Sequence, residues 1–285
     1  MKDVTMKHKK KLIVCLFITP IVTISLVNSS SPYEMSDDSY TLNIKKEFLD
    51  ISNLSSLTYS AHDGYLYATV NRPAKVLKIS KNGVIHQIKD IPFIKDAESI
   101  EHLTENMFLA ADEETSILYL LSIEKNMEVK IKKTIQLDVF KEKNNRGFEG
   151  LGWEQSSHTL FAAKERKPAK LFSYKLNFNN TSAKNEQKKT LDVNLKDISG
   201  LDVYKDNLRV LSDESKLLIN IDLLTNQKNI LLNLRKEHHD LQEDIPQAEG
   251  VTTAPNGDIY IVSEPNFFYH FKKQPDDKNN DDQQS

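Results

Sequence analysis

The sequence contains little cysteine, tryptophan or glycine. Its 285 residues include one cysteine, Cys15, one tryptophan and 8 glycines. A single cysteine excludes an intramolecular disulfide framework and any zinc site built on cysteines. With so few glycines, Asn, Asp and Ser must serve many of the turns. The formal net charge of −3 gives no global electrostatic support for nucleic-acid binding, and we expect none.

Common catalytic signatures are also missing. The chain has no Gly-x-Ser-x-Gly, no P-loop and no Gly-x-Gly-x-x-Gly, so hydrolase elbows and nucleotide-binding loops have no sequence support. The only paired histidines are His238 and His239. We expect them in a solvated loop; the alternative is a general base beside a bound metal.

What the chain does contain is a short segment that occurs five times. The third residues of the copies lie 43, 51, 50 and 50 residues apart, a period typical of β-propeller blades rather than of helical solenoids. The five copies are Asn53-Leu54-Ser55-Ser56-Leu57, Asp96-Ala97-Glu98-Ser99-Ile100, Gly147-Phe148-Glu149-Gly150-Leu151, Asp197-Ile198-Ser199-Gly200-Leu201 and Gln247-Ala248-Glu249-Gly250-Val251.

Each copy is followed by room for four short strands. In the first repeat, alternating apolar residues predict strands at 54–59, 65–70, 75–79 and 84–88, separated by turn-forming residues. The fifth repeat ends after its third strand, and residues 40–48 form a lone strand before the first. Pairing that strand with the last blade would close the ring. We therefore predict an all-β fold, a five-bladed β-propeller of four-stranded antiparallel blades, as one domain at residues 40–273.

The N-terminal segment has the pattern of an export signal. Five lysines within the first eleven residues precede sixteen mostly apolar residues, 12–27. Cleavage and anchoring both remain open, and we favour an uncleaved anchor with its lysines in the cytoplasm. The predicted segments are a signal or anchor at 1–31, a linker at 32–39 and a disordered acidic tail at 274–285. The propeller would then lie in the periplasm or outside the cell.

Two columns of the repeat are rich in carboxylates. The first column contains Glu98, Glu149 and Glu249, completed by Ser55 and Ser199. The second column, fifteen or sixteen residues later, contains Asn71, Glu113, Glu165, Glu214 and Glu264. If the first column opens the innermost strand and the second closes the next strand, both lie at one mouth of the central channel. Two like charges 4 Å apart repel by about 4 kcal/mol at an effective dielectric of ~20.

Three arrangements relieve such repulsion: raised pKa values, basic partners or a bound cation. Calcium fits the oxygen ligands, whereas zinc and copper fit poorly because no histidine recurs in either column. The candidate metal ligands are Glu98, Glu149, Glu249, Glu113, Glu165, Glu214 and Glu264. For the outer four we favour a structural role, such as pairing with Arg72, Lys164 or Arg166; for the inner three we favour the metal.

At these residues the chain resembles the SdiA-regulated, YjiK-like family of bacterial envelope proteins. The resemblance covers residues 40–273 and rests on the segments 51–58, Asn71-Arg72-Pro73-Ala74, Gly147-Phe148-Glu149-Gly150-Leu151, Gln247-Ala248-Glu249-Gly250-Val251 and residues 261–266. It implies a five-bladed propeller, distantly related to NHL-repeat proteins, that binds calcium. It implies no catalytic residues.

We therefore expect a membrane-anchored, extracytoplasmic, calcium-binding propeller that binds an unknown protein or small-molecule ligand at the channel mouth. The first alternative is a calcium-dependent hydrolase of lactones, esters or phosphoesters. The second is a purely structural propeller whose ion only rigidifies the ring.

Overall fold

The computed structural model describes residues 34–35, 39–138, 148–166, 168–183 and 193–275. The chain divides into a short unit, Met1–Pro32, and a larger one, Tyr33–Ser285, and every described residue belongs to the larger. The predicted N-terminal segment at 1–31 and most of the predicted tail lie outside the described residues. Within the described ranges, no helix is long and apolar enough to cross a bilayer.

All regular elements of the described part are β-strands. In chain order they are β1 (Glu34–Met35), β2 (Tyr40–Glu47), β3 (Leu54–Tyr59), β4 (Leu66–Val70), β5 (Lys75–Ile79), β6 (Ile85–Asp90), β7 (Ala97–Thr104), β8 (Met107–Asp112), β9 (Ile117–Ile123), β10 (Val129–Leu137), β11 (Phe148–Glu154), β12 (Thr159–Lys164), β13 (Lys170–Lys175), β14 (Ser182–Ala183), β15 (Gly200–Tyr204), β16 (Asn207–Ser212), β17 (Leu217–Asp222), β18 (Lys228–Asn233), β19 (Ala248–Thr253), β20 (Ile259–Ser263) and β21 (Phe267–Lys273).

These strands form five sheets, which are the five blades. From the axis outward, blade 1 is β3-β4-β5-β6, blade 2 is β7-β8-β9-β10, blade 3 is β11-β12-β13, blade 4 is β15-β16-β17-β18 and blade 5 is β19-β20-β21-β2. The two-residue strands β14 and β1 pair in parallel with the outermost strands β10 and β18. The predicted five-bladed propeller of antiparallel blades is confirmed.

The N-terminal strand closes the ring, as its isolated position in the sequence predicts. Strand β2 pairs antiparallel with β21, from Tyr40 opposite Lys273 to Glu47 opposite Phe267. Blade 5 is therefore assembled from both ends of the described chain, and the outer edge of β21 is covered. Tyr40 is buried among the apolar residues packed between blades 4 and 5.

The core lies between neighbouring blades rather than at the axis. Five apolar clusters fill the blade interfaces; Trp153 of blade 3, for example, packs with residues of blade 2 and is 6% exposed. Burying a large apolar side chain contributes about 1.5–3 kcal/mol, so docking of the blades stabilises the fold. The innermost strands β3, β7, β11, β15 and β19 contact one another around the axis. We call the end at which they begin the mouth, and the end at which they turn into the second strand the opposite face.

Candidate metal centre at the channel mouth

The first-column residues lie at β-bulges. In blade 1, Leu54 faces Val70 and Ser56 faces Thr69, so Ser55 is an extra residue without a cross-strand partner. Glu98, Glu149 and Glu249 are the extra residues of blades 2, 3 and 5 in the same way. A bulge bends the strand and redirects the side chain, which is why bulges recur beside functional sites. The repeat thus encodes four bulges around the mouth.

In blade 4, Ser199 takes the corresponding position just before β15. Its N–H donates to Leu211 O over 3.0 Å, and Leu211 is also the residue that faces Gly200. Its buried hydroxyl has no hydrogen-bond partner among the described residues. Ser55, in contrast, donates to Ala97 O over 2.6 Å. That bond joins blade 1 to blade 2, so Ser55 has a structural role.

Backbone hydrogen bonds bring the second column to the same end of the channel. Glu113 N donates to Asp96 O over 3.0 Å, and Glu264 N donates to Gln247 O over 2.9 Å. Asn71 N donates to Asn53 O over 3.2 Å in the same way. Each of these bonds joins the start of the innermost strand to the end of its neighbour.

The three inner glutamates are half-buried and close enough to influence one another's charge. Burial, followed by the charge of Asp96, a hydrogen bond shared with the Asp96 carboxyl group and the charge of Glu113, raises the pKa of Glu98 to about 8, although a hydrogen bond from Asn71 opposes the rise. Burial and the charges of Glu264 and Glu98 raise the pKa of Glu249 to about 9. Burial and the charges of Glu98, Glu113 and Glu249 raise the pKa of Glu149 well above its usual range. Without a cation, the mouth therefore holds protons at neutral pH.

Three carboxylates of blade 2 form an acidic cluster at the mouth. One carboxylate oxygen from each of Asp96, Glu98 and Glu113 lies within 4.8 Å of the other two. Asp96 is 1% exposed; its Oδ2 accepts from Arg72, but its buried Oδ1 has no hydrogen-bond partner among the described residues. From blade 1, Asn71 Nδ2 donates to Glu98 Oε1 over 3.0 Å, and the buried Asn71 Oδ1 also lacks a partner. We call Asn71, Asp96, Glu98 and Glu113 the blade 1–2 cluster.

The remaining outer glutamates do not join this cluster. Glu165 and Glu214 flank Arg166, whose Nη1 lies 3.2 Å from Glu214 Oε1. Glu264 Oε2 accepts from Gln247 Nε2 over 2.8 Å. Each of these three carboxylates has a polar partner outside the blade 1–2 cluster, and Glu113 lies beside Asp96 and Glu98 within it.

Asp96 is a site residue that the column pattern does not single out. It stands at the first position of its repeat copy, where the others have Asn53, Gly147, Asp197 and Gln247. Asp197 is used differently, because its carboxylate accepts from Ser212 Oγ and from Glu214 N. The sequence signal that could have identified Asp96 is an aspartate two residues before a first-column glutamate.

Of the paired histidines, His239 is a structural residue. His239 is 8% exposed; its Nε2 accepts from Asn233 N over 3.1 Å, and its Nδ1 lies 3.0 Å from Tyr40 O. A histidine bound at both nitrogens is a structural link between the loop and β2. The expectation of a solvated loop is therefore wrong for His239, which is buried.

Further along the innermost strands lie two more buried carboxylates, those of Glu101 and Asp202, and both accept hydrogen bonds. Glu101 accepts from Thr58 Oγ1 over 3.0 Å and from Trp153 N over 3.1 Å. Asp202 accepts from Thr252 Oγ1 over 3.4 Å and from Thr253 Oγ1 over 2.5 Å. Burial raises the pKa of Glu101 well above its usual range, and the charge of Asp202 adds to the rise. Because these carboxylates already have partners, we do not count them among the candidate metal ligands.

Comparison with known proteins agrees with this architecture. The family model described as SdiA-regulated matches residues 33–272. Among solved structures, the chain is similar to the glutaminyl cyclase of Myxococcus xanthus, with 12% identity, a TM-score of 0.59 and coverage of 83% of this chain and 97% of that one. It is also similar to the PQQ-bound aldose sugar dehydrogenase of Streptomyces coelicolor, with 10% identity, a TM-score of 0.54 and coverage of 82% and 98%.

A gluconolactonase of Xanthomonas campestris shares 8% identity at a TM-score of 0.52, with coverage of 87% of this chain and 99% of that one. At such identities the likeness establishes the propeller fold and nothing about activity.

Proposed function

The chain belongs to the SdiA-regulated family, and on that premise we propose that it is a calcium-binding propeller of the cell envelope. Its role is binding rather than catalysis: the cation at the mouth presents a site for a protein or small-molecule ligand. The N-terminal lysines and the apolar residues 12–27 support an anchored, extracytoplasmic placement.

One observation carries the proposal, the unpartnered Oδ1 of Asp96 inside the blade 1–2 cluster. Leaving a buried polar atom without a partner costs about 1–3 kcal/mol, and native proteins rarely accept that cost without a reason. Here the Asp96 oxygen lies beside Glu113 and beside Glu98, whose carboxyl group shares a hydrogen bond with Asp96 while it keeps its proton, and Asn71 Oδ1 is unpartnered. A cation among these four side chains would take the place of that proton, contact both oxygens and neutralise the repulsion between the ionised carboxylates.

The donor set selects the kind of cation. All four side chains offer oxygen, and the described part of the mouth brings no histidine or cysteine to the cluster. Calcium takes about six to eight oxygen ligands in flexible geometry, and water or a ligand completes the shell. Zinc and copper prefer nitrogen and sulfur. Bound calcium would supply positive charge and open coordination positions to the oxygen atoms of a partner.

A calcium-dependent hydrolase of lactones, esters or phosphoesters is the second candidate. It is favoured by Arg166, whose charge lies near enough to Glu149 to oppose part of the rise in that group's pKa. A guanidinium beside a cation could stabilise negative charge that develops on a substrate. The described residues of the mouth include no activated serine or histidine pair, so binding remains the first proposal.

Thermal unfolding with calcium and with a chelator tests the proposal. We expect calcium to raise the Tm of the wild-type protein, by linkage equivalent to about 2.7 kcal/mol at 100-fold excess over the Kd. Glu98→Gln and Glu113→Gln should lose most of this rise. The matched control is Glu114→Gln, next in sequence to Glu113, because Glu114 is exposed and pairs with Lys95 over 2.8 Å.

Two outcomes would change the proposal. If calcium has no effect on Tm at millimolar concentration, the mouth is a set of contacts between blades. If calcium binds and the protein hydrolyses an ester or lactone, and Glu149→Gln abolishes that hydrolysis, the hydrolase proposal replaces the binding proposal.

A further inference from the structure

The outermost strand of blade 1 has a free edge. Strand β6 pairs with β5 on one side, and among the described residues no main chain is hydrogen-bonded to its other side. In three other blades the chain covers the corresponding edge itself. Strand β14 pairs with β10, β1 pairs with β18, and Leu42 N of β2 donates to His239 O over 2.9 Å. The outward N–H and C=O groups of β6 are therefore available to a strand of another molecule.

An apolar groove lies beside this free edge, between blades 5 and 1. Its volume is about 360 Å³, and its walls are the end of β2, the loop that leads to β3, the β5–β6 turn and β6 itself. Phe48, Ile51 and Ile85 of this lining also pack in the apolar cluster between the two blades. We call it the blade 5–1 groove, and it continues the core of that blade interface to the surface.

Loops close two of the other blade interfaces with buried side chains. Ile91 and Ile94 of the β6–β7 loop are buried between blades 1 and 2. Leu241 and Ile245 of the β18–β19 loop are buried between blades 4 and 5. In the β2–β3 loop, by contrast, Leu49 is 82% exposed. The apolar surface of the blade 5–1 groove therefore has no cover within the described part of the chain.

The blade 5–1 groove gathers most of the exposed large apolar side chains. Five such side chains are exposed in the described part of the chain, and three of them line the groove: Leu49, Val84 at 46% and Ile88 at 47%. The other two, Leu224 and Ile131, lie in blades 4 and 2. Single exposed apolar residues are ordinary, whereas a contiguous group beside a free strand edge marks an interaction surface.

The charges on this surface are of both signs. Lys46 and Asp50 line the groove, and Glu47 and Lys89 follow lining residues in the chain. All four are exposed, and none forms an ion pair among the described residues. Two unpaired charges of each sign match the same surface on a second copy, whereas a strongly acidic or strongly basic partner would leave like charges together. The chain's own acidic residues 276–285 include no apolar side chain to fill the groove.

From the free edge, the groove and the mixed charges together, we propose that two copies of the chain form a two-fold symmetric dimer through blade 1. Strand β6 pairs antiparallel with β6 of the second copy, which satisfies the main-chain groups of both edges. A two-fold interface requires a surface that is complementary to itself, and an antiparallel pair of identical edges meets that requirement. The two blade 5–1 grooves then adjoin, and Leu49 and Ile88 of each copy are covered. The contact does not involve the cation at the mouth.

Sedimentation equilibrium of the full-length protein tests the dimer. We expect a reversible equilibrium between one chain and two, whose Kd is the same with calcium and with a chelator. Leu49→Glu and Ile88→Glu should each raise that Kd about tenfold or more, because the new carboxylate would be buried against apolar side chains of the second copy. Both residues are exposed in the single chain, so neither substitution should lower the Tm of the monomer.

Leu224→Glu is the matched control. Leu224 is 78% exposed, much like Leu49, but it lies in the β17–β18 turn of blade 4, so its substitution should leave the Kd of the dimer unchanged. The proposal is overturned if the wild type sediments as a single chain at every concentration, which would leave the groove to a peptide of another protein. It is also overturned if Leu49→Glu and Ile88→Glu associate as the wild type does, which would place the contact elsewhere.

Discussion

The side chain of Asn71 in blade 1 donates its Nδ2–H to Glu98 Oε1 in blade 2, over 3.0 Å. This bond crosses a blade interface at the mouth and holds Glu98 beside Asp96 and Glu113. The other polar atom of the amide, Oδ1, is buried without a partner among the described residues. Asn71 therefore orients the Glu98 carboxylate through Nδ2, and its Oδ1 remains a hydrogen-bond acceptor that no described residue uses.

Asn71→Asp tests whether the unused acceptor serves a cation. The variant keeps the shape of the side chain but replaces the donor with a fourth carboxylate, so repulsion in the cluster increases. We expect the metal-free Tm to fall and the calcium-induced rise in Tm to exceed that of the wild type. A lower Tm that calcium does not restore would show that no cation binds between these residues.

The raised pKa values at the mouth predict an unusual dependence of stability on pH. Burial is the main cause for Glu98, with a pKa of about 8, and for Glu249, with a pKa of about 9. The folded state therefore holds protons that the unfolded chain releases near pH 4.5. The stability linked to these groups is fully present below that pH and is lost as pH rises through 8 to 9.

We therefore expect the Tm of the metal-free protein to fall between pH 5 and pH 9, and calcium to suppress the fall because it stabilises the charged carboxylates. Measuring Tm against pH, with chelator and with calcium, checks this. Glu249→Gln should show a shallower fall. An equal slope in the two conditions would contradict a cation at the mouth.

A large part of the fold could be predicted from the sequence. The strands expected at 54–59 and 75–79 match β3 and β5, and the strand expected at 84–88 begins one residue early and ends two residues early relative to β6. Closure of the ring by the N-terminal strand was also predictable, because the last repeat lacks one strand and an unpaired strand precedes the first repeat. Alternating apolar residues and turn-forming residues are local sequence signals, and each blade except the last is formed from strands that are consecutive in the chain.

The candidate site was predicted less completely, because it depends on contacts between blades. The bulges that redirect Glu98 and Glu149 arise from pairing register, which the repeat pattern does not reveal. Glu165 and Glu214 pair with Arg166, and the carboxylate of Asp96 meets Arg72 of the preceding blade while it lies beside Glu98 and Glu113. The sequence does not reveal such contacts, because they form only when neighbouring blades pack together.

Glycines of the innermost strands should differ in how much stability is lost when they are replaced by alanine. A Cβ added at Gly250 would lie 2.6 Å from Leu57 N, which is backbone of the next blade and cannot move aside. At Gly152 the nearest atom is the side-chain Cγ2 of Val203, at 3.1 Å. We expect Gly250→Ala to lower the free energy of unfolding by about 1–3 kcal/mol or more, and Gly152→Ala to have a smaller effect.

Denaturant unfolding of both variants gives the comparison. Equal losses would mean that the contact between β19 and β3 is no tighter than the contact between β11 and β15.

The buried histidine should support the fold and leave the mouth unaffected. Removing His239 leaves Asn233 N and Tyr40 O without a partner, so His239→Ala should cost about 1–3 kcal/mol in the free energy of unfolding. His238→Ala is the neighbouring control and should change little. Calorimetry should show the same calcium affinity in both variants, and a selective loss of calcium binding or turnover in His239→Ala would restore its candidacy as a general base.

Asp96 and Asp197 occupy the same position of their repeats, and their different partners predict opposite results on mutation. Asp197 already accepts from Ser212 and from Glu214 N, so Asp197→Asn should lower the metal-free Tm and leave calcium affinity unchanged. Asp96 has an unpartnered oxygen beside two carboxylates, and Asp96→Asn removes both a ligand charge and part of the repulsion. We expect calcium to bind about tenfold or more weakly to Asp96→Asn, while the metal-free protein loses little stability, since the relief of repulsion offsets the weakened pairing with Arg72. Isothermal titration with calcium, beside chelator-treated unfolding, separates the two effects. If the two variants have the same metal-free Tm and the same calcium affinity, the cation lies on the axis among Glu98, Glu149 and Glu249 rather than in the blade 1–2 cluster.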